Sequence, residues 1–290
     1  MTILVTAASG QLGRLVVESL LARGAAPDTI VATARDTSKL AELAARGIRT
    51  AELDYARTET IAPALEGVDA VLLVSASEPG NRVALHQNVI DAAAAAGVAK
   101  LVYTSAPKAT TADFVLAPEH KATEEAIAAS GVPAVILRNN WYTENYAADV
   151  SRAASTGVIA ASVADGRVAS ATRADYADAA AVVLLEDGHL GQVYELAGDL
   201  AWDYSELAAA ASEVVGREVT FQPLSTSEHI AALEGFGLDA GTAGFVAAID
   251  TGIRDGVLGD SDGTLSRLIG RPSTPLVEGL RAAVDDRVAA

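Results

Sequence analysis

The first sixteen residues constrain the fold more than any other stretch of the chain. Residues 2–6 are rich in β-branched side chains and predict a buried strand, and the apolar residues after Gly13 fall on one face of a helix. Between them lies a tight turn of small residues that includes Gly10 and Gly13. A helix N-terminus exposes unpaired N–H groups, and glycine lacks the Cβ that would hold a pyrophosphate away. The stretch therefore predicts a dinucleotide-binding turn.

The spacing of this turn supports the same prediction. Ala7, Gly10 and Gly13 form a small-x-x-Gly-x-x-Gly pattern, which resembles the fingerprint of the short-chain dehydrogenase/reductase superfamily. Alanine at the first position implies a turn that tolerates one methyl group. Helix–strand packing also favours small residues, so the position of the motif directly after an apolar strand carries much of the weight.

Strands and helices alternate over most of the chain, which predicts an α/β fold with a doubly wound parallel (Rossmann) sheet. We assign residues 1–150 to an NAD(P)-binding Rossmann domain, to which residues 166–198 return. Residues 151–165 and 199–290 form a smaller C-terminal α+β substrate lobe. The predicted later strands are 29–34, 49–53, 68–75, 100–105, 133–138 and 193–196, and the predicted helices of the smaller lobe are 204–215, 227–233, 242–253 and 275–288.

Composition excludes several functional classes. The chain has no cysteine and four scattered histidines, so disulfides, cysteine-ligated metals and thiol nucleophiles are excluded and no metal site is expected. A formal charge of -17 without a basic run argues against nucleic acid as a partner. No apolar run reaches the roughly 18 residues that a membrane span needs, so we expect a cytoplasmic protein without membrane insertion.

Polar residues follow several predicted strands, at the edge of the sheet where doubly wound folds bind ligands. Arg35 ends the second strand, where NAD-specific proteins carry an acidic residue, and its guanidinium favours the 2′-phosphate of NADPH. The next residue, Asp36, is expected to cap a helix rather than bind ribose. Asp54 either accepts a hydrogen bond from adenine or serves as a turn residue.

The middle of the sheet supplies further candidates. Ser75, Thr104 and Ser105 end two central strands. Asn139, Trp141 and Tyr142 lie in a polar and aromatic segment after the sixth strand, which suits a flat ligand such as nicotinamide or a quinone. Alternatively, the two aromatic rings wedge the lobes together.

The chain lacks the catalytic pair that most short-chain reductases use. None of its seven tyrosines has a lysine four residues later, which disfavours alcohol oxidation, epimerisation and dehydration by a Tyr-x-x-x-Lys device. His120 and Glu124 lie one helical turn apart, so the carboxylate could orient or charge the imidazole for proton donation. A purely structural role for His120 is the alternative.

Several segments together carry a family resemblance: residues 5–13, 54–55, 137–146, 170–177 and 194–199. They resemble the NADPH-dependent quinone reductases among the NmrA-like atypical short-chain dehydrogenases/reductases, a group close to triphenylmethane reductases. The resemblance runs from Thr2 to about Leu276. The chain departs from it at residues 7–9, Ala-Ala-Ser, where the family usually has Gly-Ala-Thr, a difference that bears on how tightly the coenzyme is bound.

The resemblance implies NADP(H) as coenzyme, neither flavin nor metal, and direct hydride transfer to a quinone or a similar conjugated acceptor. It places Gly10–Gly13 on the pyrophosphate, Arg35 on the 2′-phosphate, and Ser75 and Asn139 near the nicotinamide. The full predicted cofactor-binding set is Thr6, Ala8, Gly10, Gln11, Leu12, Gly13, Arg35, Asp54, Ser75, Thr104, Ser105 and Asn139. The predicted catalytic residues are Asn139, Tyr142 and His120, with Trp141 and Tyr142 lining the substrate pocket and His120 or water supplying protons.

Two other functions fit the same sequence. NmrA-like proteins also include NADP(H)-binding redox sensors that catalyse no reaction, and a reductase of triphenylmethane-type dyes would use the same hydride transfer. The physiological acceptor and the oligomeric state stay open, with a homodimer as one option.

Overall fold

The computed structural model describes residues 1–78 and 80–289, so the last residue of the predicted smaller lobe lies outside it. The chain divides into two compact units. The first comprises Met1–Thr110, Pro118–Asn139 and Arg173–Glu195, and the second comprises Thr111–Ala117, Asn140–Thr172 and Leu196–Ala290. The first unit thus stops at Asn139, before the boundary placed at residue 150, and its returning segment begins at Arg173.

The strands form two separate sheets. A seven-stranded sheet has the order β3-β2-β1-β4-β5-β6-β8, and a two-stranded sheet pairs β7 with β9. The strands are β1 (Ile3–Val5), β2 (Ile30–Ala34), β3 (Arg49–Glu52), β4 (Ala70–Leu73), β5 (Lys100–Ser105), β6 (Ala134–Asn139), β7 (Val158–Ala161), β8 (Val193–Leu196) and β9 (Thr220–Pro223).

The helices connect these strands. They are α1 (Gln11–Ala22), α2 (Ala41–Ala45), α3 (Thr58–Ala64), α4 (Arg82–Ala95), α5 (Ala117–Ser130), α6 (Ala147–Thr156), α7 (Arg173–Leu185), α8 (Tyr204–Val215), α9 (Thr226–Gly235), α10 (Ala240–Arg254), α11 (Thr264–Ile269) and α12 (Leu276–Ala289). Short 3-10 turns lie at Pro27–Thr29, Thr37–Leu40 and Thr143–Tyr146. Within the described residues, no helix is long and apolar enough to cross a membrane.

The first unit is built on buried parallel strands. β1 pairs in parallel with β2 and β4, and the parallel register continues from β4 through β5 to β6. Every residue of β1, β2, β4 and β5 is buried, as expected for strands covered on both faces. The predicted Rossmann fold class is confirmed, and it brings the carboxyl ends of these strands to one edge.

The second unit has its own apolar core, in which aromatic side chains meet. Tyr146 packs edge-on against Trp202 with ring centroids 5.0 Å apart, and Tyr204 contacts Phe221 at 5.4 Å. The predicted helix at 204–215 matches α8. The sequence analysis did not predict β7, β9, α6 or α11; β7, β9 and α11 are only four to six residues long, whereas the helical spacing of Ala147, Val150 and Ala153 in α6 was missed.

Candidate coenzyme-binding site

The turn between β1 and α1 is shaped by one glycine and one strained alanine. A Cβ built on Gly13 would lie 2.4 Å from the Ala7 carbonyl oxygen and 2.9 Å from that of Thr6, so only glycine fits where the helix crosses the turn. Ala7 adopts φ +50°, a left-handed conformation that glycine adopts more easily. The alanine methyl group is accommodated, as the sequence predicted, at the cost of a disfavoured backbone angle.

The N-terminus of α1 has the properties of an anion site. Gly10 is the N-cap residue, and among the described residues no side chain caps this end of the helix. The first turn contains no acidic residue. Gly10 and Gln11 are exposed, whereas Leu12 and Gly13 are buried. The first N–H groups of α1 can therefore bind phosphate oxygens without displacing a carboxylate.

Two predicted cofactor residues beside this turn use their polar groups internally. Thr6 is fully buried, and its hydroxyl oxygen accepts a hydrogen bond from the Val74 N–H at 2.9 Å. The Tyr55 hydroxyl lies 2.5 Å from the same oxygen and donates to the Val74 carbonyl at 2.8 Å. The Ala8 N–H donates to the carbonyl of Thr33 at 2.8 Å. Thr6 and Ala8 thus hold β1 against its neighbours beneath the turn.

The outer part of the edge carries the predicted phosphate ligand. Arg35 is largely exposed, with 74% of its side chain accessible, and its Nη1 lies 3.4 Å from Glu78 Oε1. Asp36 accepts a hydrogen bond from the Ser38 N–H at 3.0 Å, which confirms its capping role. Asp54 accepts from the Ala56 N–H at 3.0 Å and so makes a turn contact. Glu78 was not predicted, because it lies 43 residues from Arg35 in the chain.

The segment after β4 is fixed by buried polar groups. The Ser75 N–H donates to Thr104 Oγ1 at 2.9 Å, which joins two predicted cofactor residues. The Ala76 N–H donates to His86 Nε2 at 2.9 Å, and the Ala76 carbonyl accepts from Arg82 Nε at 2.8 Å. Burial, with a smaller contribution from the Arg82 charge, lowers the pKa of His86 to about 3. A neutral imidazole is the form that can accept the Ala76 hydrogen bond.

His120 and Glu124 do not form the pair expected from their spacing. His120 Nδ1 lies 2.7 Å from the Tyr103 hydroxyl, and burial lowers the pKa of His120 to about 3. Glu124 instead accepts hydrogen bonds from Ser105 Oγ at 2.6 Å and from both Nε and Nη2 of Arg138. The expectation that Glu124 orients or charges His120 is therefore wrong, because the partly buried Arg138 binds the carboxylate instead.

Arg138 has a second carboxylate partner. Its Nη1 lies 2.9 Å from Glu195 Oε1, so this guanidinium links β6 to Glu124 and to β8. Hydrogen bonds to Glu124 are the main reason that the pKa of Arg138 is raised. The low exposure of Arg138, 11% of its side chain, was not predicted, because arginine is mostly exposed in folded proteins.

The remaining predicted residues divide between the two units. Asn139 is 5% exposed and ends β6 in the first unit. Trp141 and Tyr142 are half-buried in the second unit. The backbone of Tyr142 forms an isolated parallel β-bridge with that of Ala171. The Trp141 N–H donates to Asn140 Oδ1 at 2.6 Å. Over residues 1–78 and 80–289, no three His, Asp or Glu side chains gather as a metal site would require.

Known proteins resemble the chain over nearly its whole length. A family model described as NAD(P)H-binding matches residues 7–187. Quinone oxidoreductase 2 of Escherichia coli is 47% identical over 278 residues, covering 96% of this chain and 97% of that protein. These matches confirm the resemblance seen in the motifs.

Solved structures agree with the sequence matches. The NADPH complex of the NADPH-dependent quinone oxidoreductase from Escherichia coli superimposes with a TM-score of 0.93 at 46% identity, covering 97% of this chain and 99% of that one. The triphenylmethane reductase of a Citrobacter species, complexed with NADP(H), gives a TM-score of 0.92 at 36% identity, covering 97% and 100% of the two chains.

Proposed function

The chain belongs to the NAD(P)H-binding family, and from this premise we propose that it is an NADPH-dependent quinone reductase that uses no flavin. The observation that carries the proposal is the 47% identity to quinone oxidoreductase 2 along almost the full length of both proteins. The phosphate-binding geometry of the β1–α1 turn supports the coenzyme, since Gly13 is the residue that the close crossing of helix and turn requires.

The first unit would bind the coenzyme through separate groups. Backbone N–H groups at the start of α1 bind the pyrophosphate, and the exposed guanidinium of Arg35 pairs with the 2′-phosphate. Ser75 and Asn139 hold the nicotinamide over the carboxyl ends of β4 and β6. The hydrogen bond from the Ser75 N–H to Thr104 Oγ1 holds the end of β4 against β5 at this edge.

The acceptor chemistry needs alignment more than activation. Reduced nicotinamide supplies a hydride, and a quinone is already electrophilic, so the protein has mainly to hold the two rings at near-contact distance. In our proposal Asn139 positions the nicotinamide or the substrate oxygen, and Trp141 and Tyr142 line the pocket. This division of labour accounts for the missing Tyr-x-x-x-Lys pair, which serves less electrophilic substrates.

We assign the proton that completes the hydroquinone to water. With a pKa of about 3, His120 is neutral at pH 7 and holds no imidazolium proton to donate. Its hydrogen bond to Tyr103 gives it instead a positioning role beneath the sheet edge. The oligomeric state stays open, with a homodimer as one option, and the cytoplasmic location stays a prediction.

A spectrophotometric assay tests the proposal. The purified protein should oxidise NADPH when benzoquinones or naphthoquinones are added, which is followed as a loss of NADPH absorbance at 340 nm. One hydroquinone should be released for each NADPH consumed. Arg35→Asp should weaken the binding of NADPH far more than that of NADH. The substitution replaces the positive partner of the 2′-phosphate with a negative charge that repels it. Lys121→Asp is the matched control, because it reverses a charge at an exposed position on α5. It should leave the binding of both coenzymes unchanged.

The same assay separates the alternatives. A reductase of triphenylmethane-type dyes is the second candidate, favoured by the TM-score of 0.92 to the Citrobacter enzyme. Rapid bleaching of a triphenylmethane dye with no quinone turnover would favour that substrate class. Coenzyme binding without turnover of any acceptor would reject the enzyme and leave an NADP(H) sensor.

A further inference from the structure

A carboxylate from the loop after β4 reaches the arginine that ends β2. Glu78 Oε1 lies 3.4 Å from Arg35 Nη1, and the two side chains are 57% and 74% exposed. The residue that directly follows Arg35 is Asp36. Its carboxylate accepts a hydrogen bond from the Ser38 N–H and so caps the 3-10 turn at Thr37–Leu40. Glu78 is therefore the acidic group that lies beside the predicted 2′-phosphate ligand.

Buried contacts hold the loop that carries Glu78. On the near side, Ala76 is fixed through its N–H by His86 and through its carbonyl by Arg82. On the far side, the Gly80 N–H donates to Glu119 Oε1 at 3.0 Å. Arg82 also pairs with the other oxygen of Glu119 at 3.0 Å, and only 8% of its side chain is exposed. Ala76 and Gly80 are thus both held by contacts that involve Arg82 or its partner Glu119, and Glu78 lies between these two positions in the chain.

The two side chains favour different coenzymes. The Arg35 guanidinium pairs with a 2′-phosphate by charge-assisted hydrogen bonds. A carboxylate at this distance repels the same phosphate, and it must share the guanidinium with it. The ribose of NADH carries a 2′-hydroxyl instead, which donates a hydrogen bond, and a carboxylate is the acceptor that NAD-specific sites use for it.

We propose that Glu78 is a coenzyme-specificity residue that acts against Arg35. It weakens the binding of NADPH, accepts a hydrogen bond from the ribose of NADH, and so allows the site to use both coenzymes with a modest preference for NADPH. This inference rests on the proposed function, because it takes the coenzyme site to lie at this edge of the sheet.

Glu78→Gln is the test, because it removes the charge and keeps the size of the side chain. Calorimetric titration with NADPH should show binding about three- to tenfold tighter than in the unchanged protein, the range expected for one like charge a few ångströms from a phosphate in water. Binding of NADH should weaken, so the ratio of the two dissociation constants shifts in favour of NADPH. The gain for NADPH should shrink as salt is raised from about 0.05 M to about 0.5 M, since exposed charges are screened.

Glu125→Gln is the matched control. Glu125 is an exposed glutamate on α5 that lies 3.9 Å from Lys121, so its replacement changes the net charge equally at a distance from the coenzyme edge. This variant should leave both dissociation constants unchanged.

Two results would overturn the inference. One is a ratio of NADPH to NADH affinity in Glu78→Gln that stays within twofold of the unchanged protein, and the other is an equal shift in Glu125→Gln. Failure of the proposed function would look different: without a coenzyme site at this edge the unchanged protein would bind neither coenzyme, and without catalysis it would bind coenzyme but turn over no acceptor. Denaturation profiles of both variants should overlay that of the unchanged protein, so a folding defect cannot imitate the expected shift.

Discussion

Replacing Gly13 by alanine would test whether the β1–α1 turn is as tightly packed as the geometry indicates. The new Cβ would lie 2.4 Å from the Ala7 carbonyl oxygen, 2.8 Å from its carbonyl carbon and 2.9 Å from the Thr6 carbonyl oxygen. All three are backbone atoms, so no side-chain rotation can relieve the contact. Helix α1 or the turn must move by about 1 Å for the shortest of these contacts to reach an ordinary contact distance.

The expected cost follows from two opposing effects. Overpacking of this kind costs about 1–3 kcal/mol, and sometimes more when backbone must shift. Alanine has a higher helix propensity than glycine, which returns up to about 1 kcal/mol because Gly13 lies inside α1. Because all the contacting atoms are backbone, the overpacking cost lies at the upper end of its range, so we expect Gly13→Ala to lower the free energy of unfolding by about 2 kcal/mol.

Gly10→Ala is the matched control within the same turn. Its Cβ would lie 3.2 Å from the same Ala7 oxygen, and Gly10 has an extended backbone at φ -88°, which alanine adopts freely. Its loss of stability should stay below about 1 kcal/mol, the scale of an N-cap change. Urea unfolding followed by circular dichroism measures both variants. Equal losses for Gly10→Ala and Gly13→Ala would refute the packing argument.

Two further predictions concern buried charges. Because the folded-state pKa of His86 and of His120 is lowered from 6.5 to about 3, the unfolded chain binds more protons throughout that pH window. Stability should therefore fall as the pH drops below about 6.5, each histidine contributing up to about 1.4 kcal/mol per pH unit; urea midpoints that stay constant from about pH 7 to about pH 5 would contradict this. Lys100 Nζ donates to the carbonyls of Val183, Leu184 and Glu186 at the end of α7. Lys100→Met should therefore lower the free energy of unfolding, measured in urea, by about 2–4 kcal/mol. The control Lys121→Met, at an exposed position, should lower it by less than about 0.5 kcal/mol.

The sequence predicted the first unit far better than the second. Strands such as β4, over Ala70–Leu73, consist of continuous buried apolar residues, and their position between helices leaves few alternatives. In the second unit, β7 and β9 are four residues each; β7 alternates between partly exposed and buried positions, whereas no residue of β9 is buried. Such short strands are stabilised by their pairing and by the core around them, which local patterns do not record.

The sequence also predicted the backbone turn of the candidate site, because that turn depends on a local pattern of small residues. A glycine at position 13 predicts a close approach of backbone atoms, and the 2.4 Å contact of its missing Cβ explains why no other residue fits. The i to i+4 spacing of His120 and Glu124 also predicted a contact, but the partly buried Arg138 binds the carboxylate instead. Spacing along a helix shows which side chains can meet, whereas the choice among partners depends on the strands beneath.

Side-chain partnerships at the sheet edge depend on contacts between strands that are distant in the sequence. Arg35 ends β2 and Glu78 follows β4, so no local motif joins them, and a fingerprint that inspects only the end of β2 finds an arginine and infers NADPH. In a doubly wound sheet, β1 lies between these two strands, and their loops converge above it. Coenzyme preference in such a fold is therefore set by the charges on both neighbouring loops together, which is why a single position after the second strand is an incomplete guide to it.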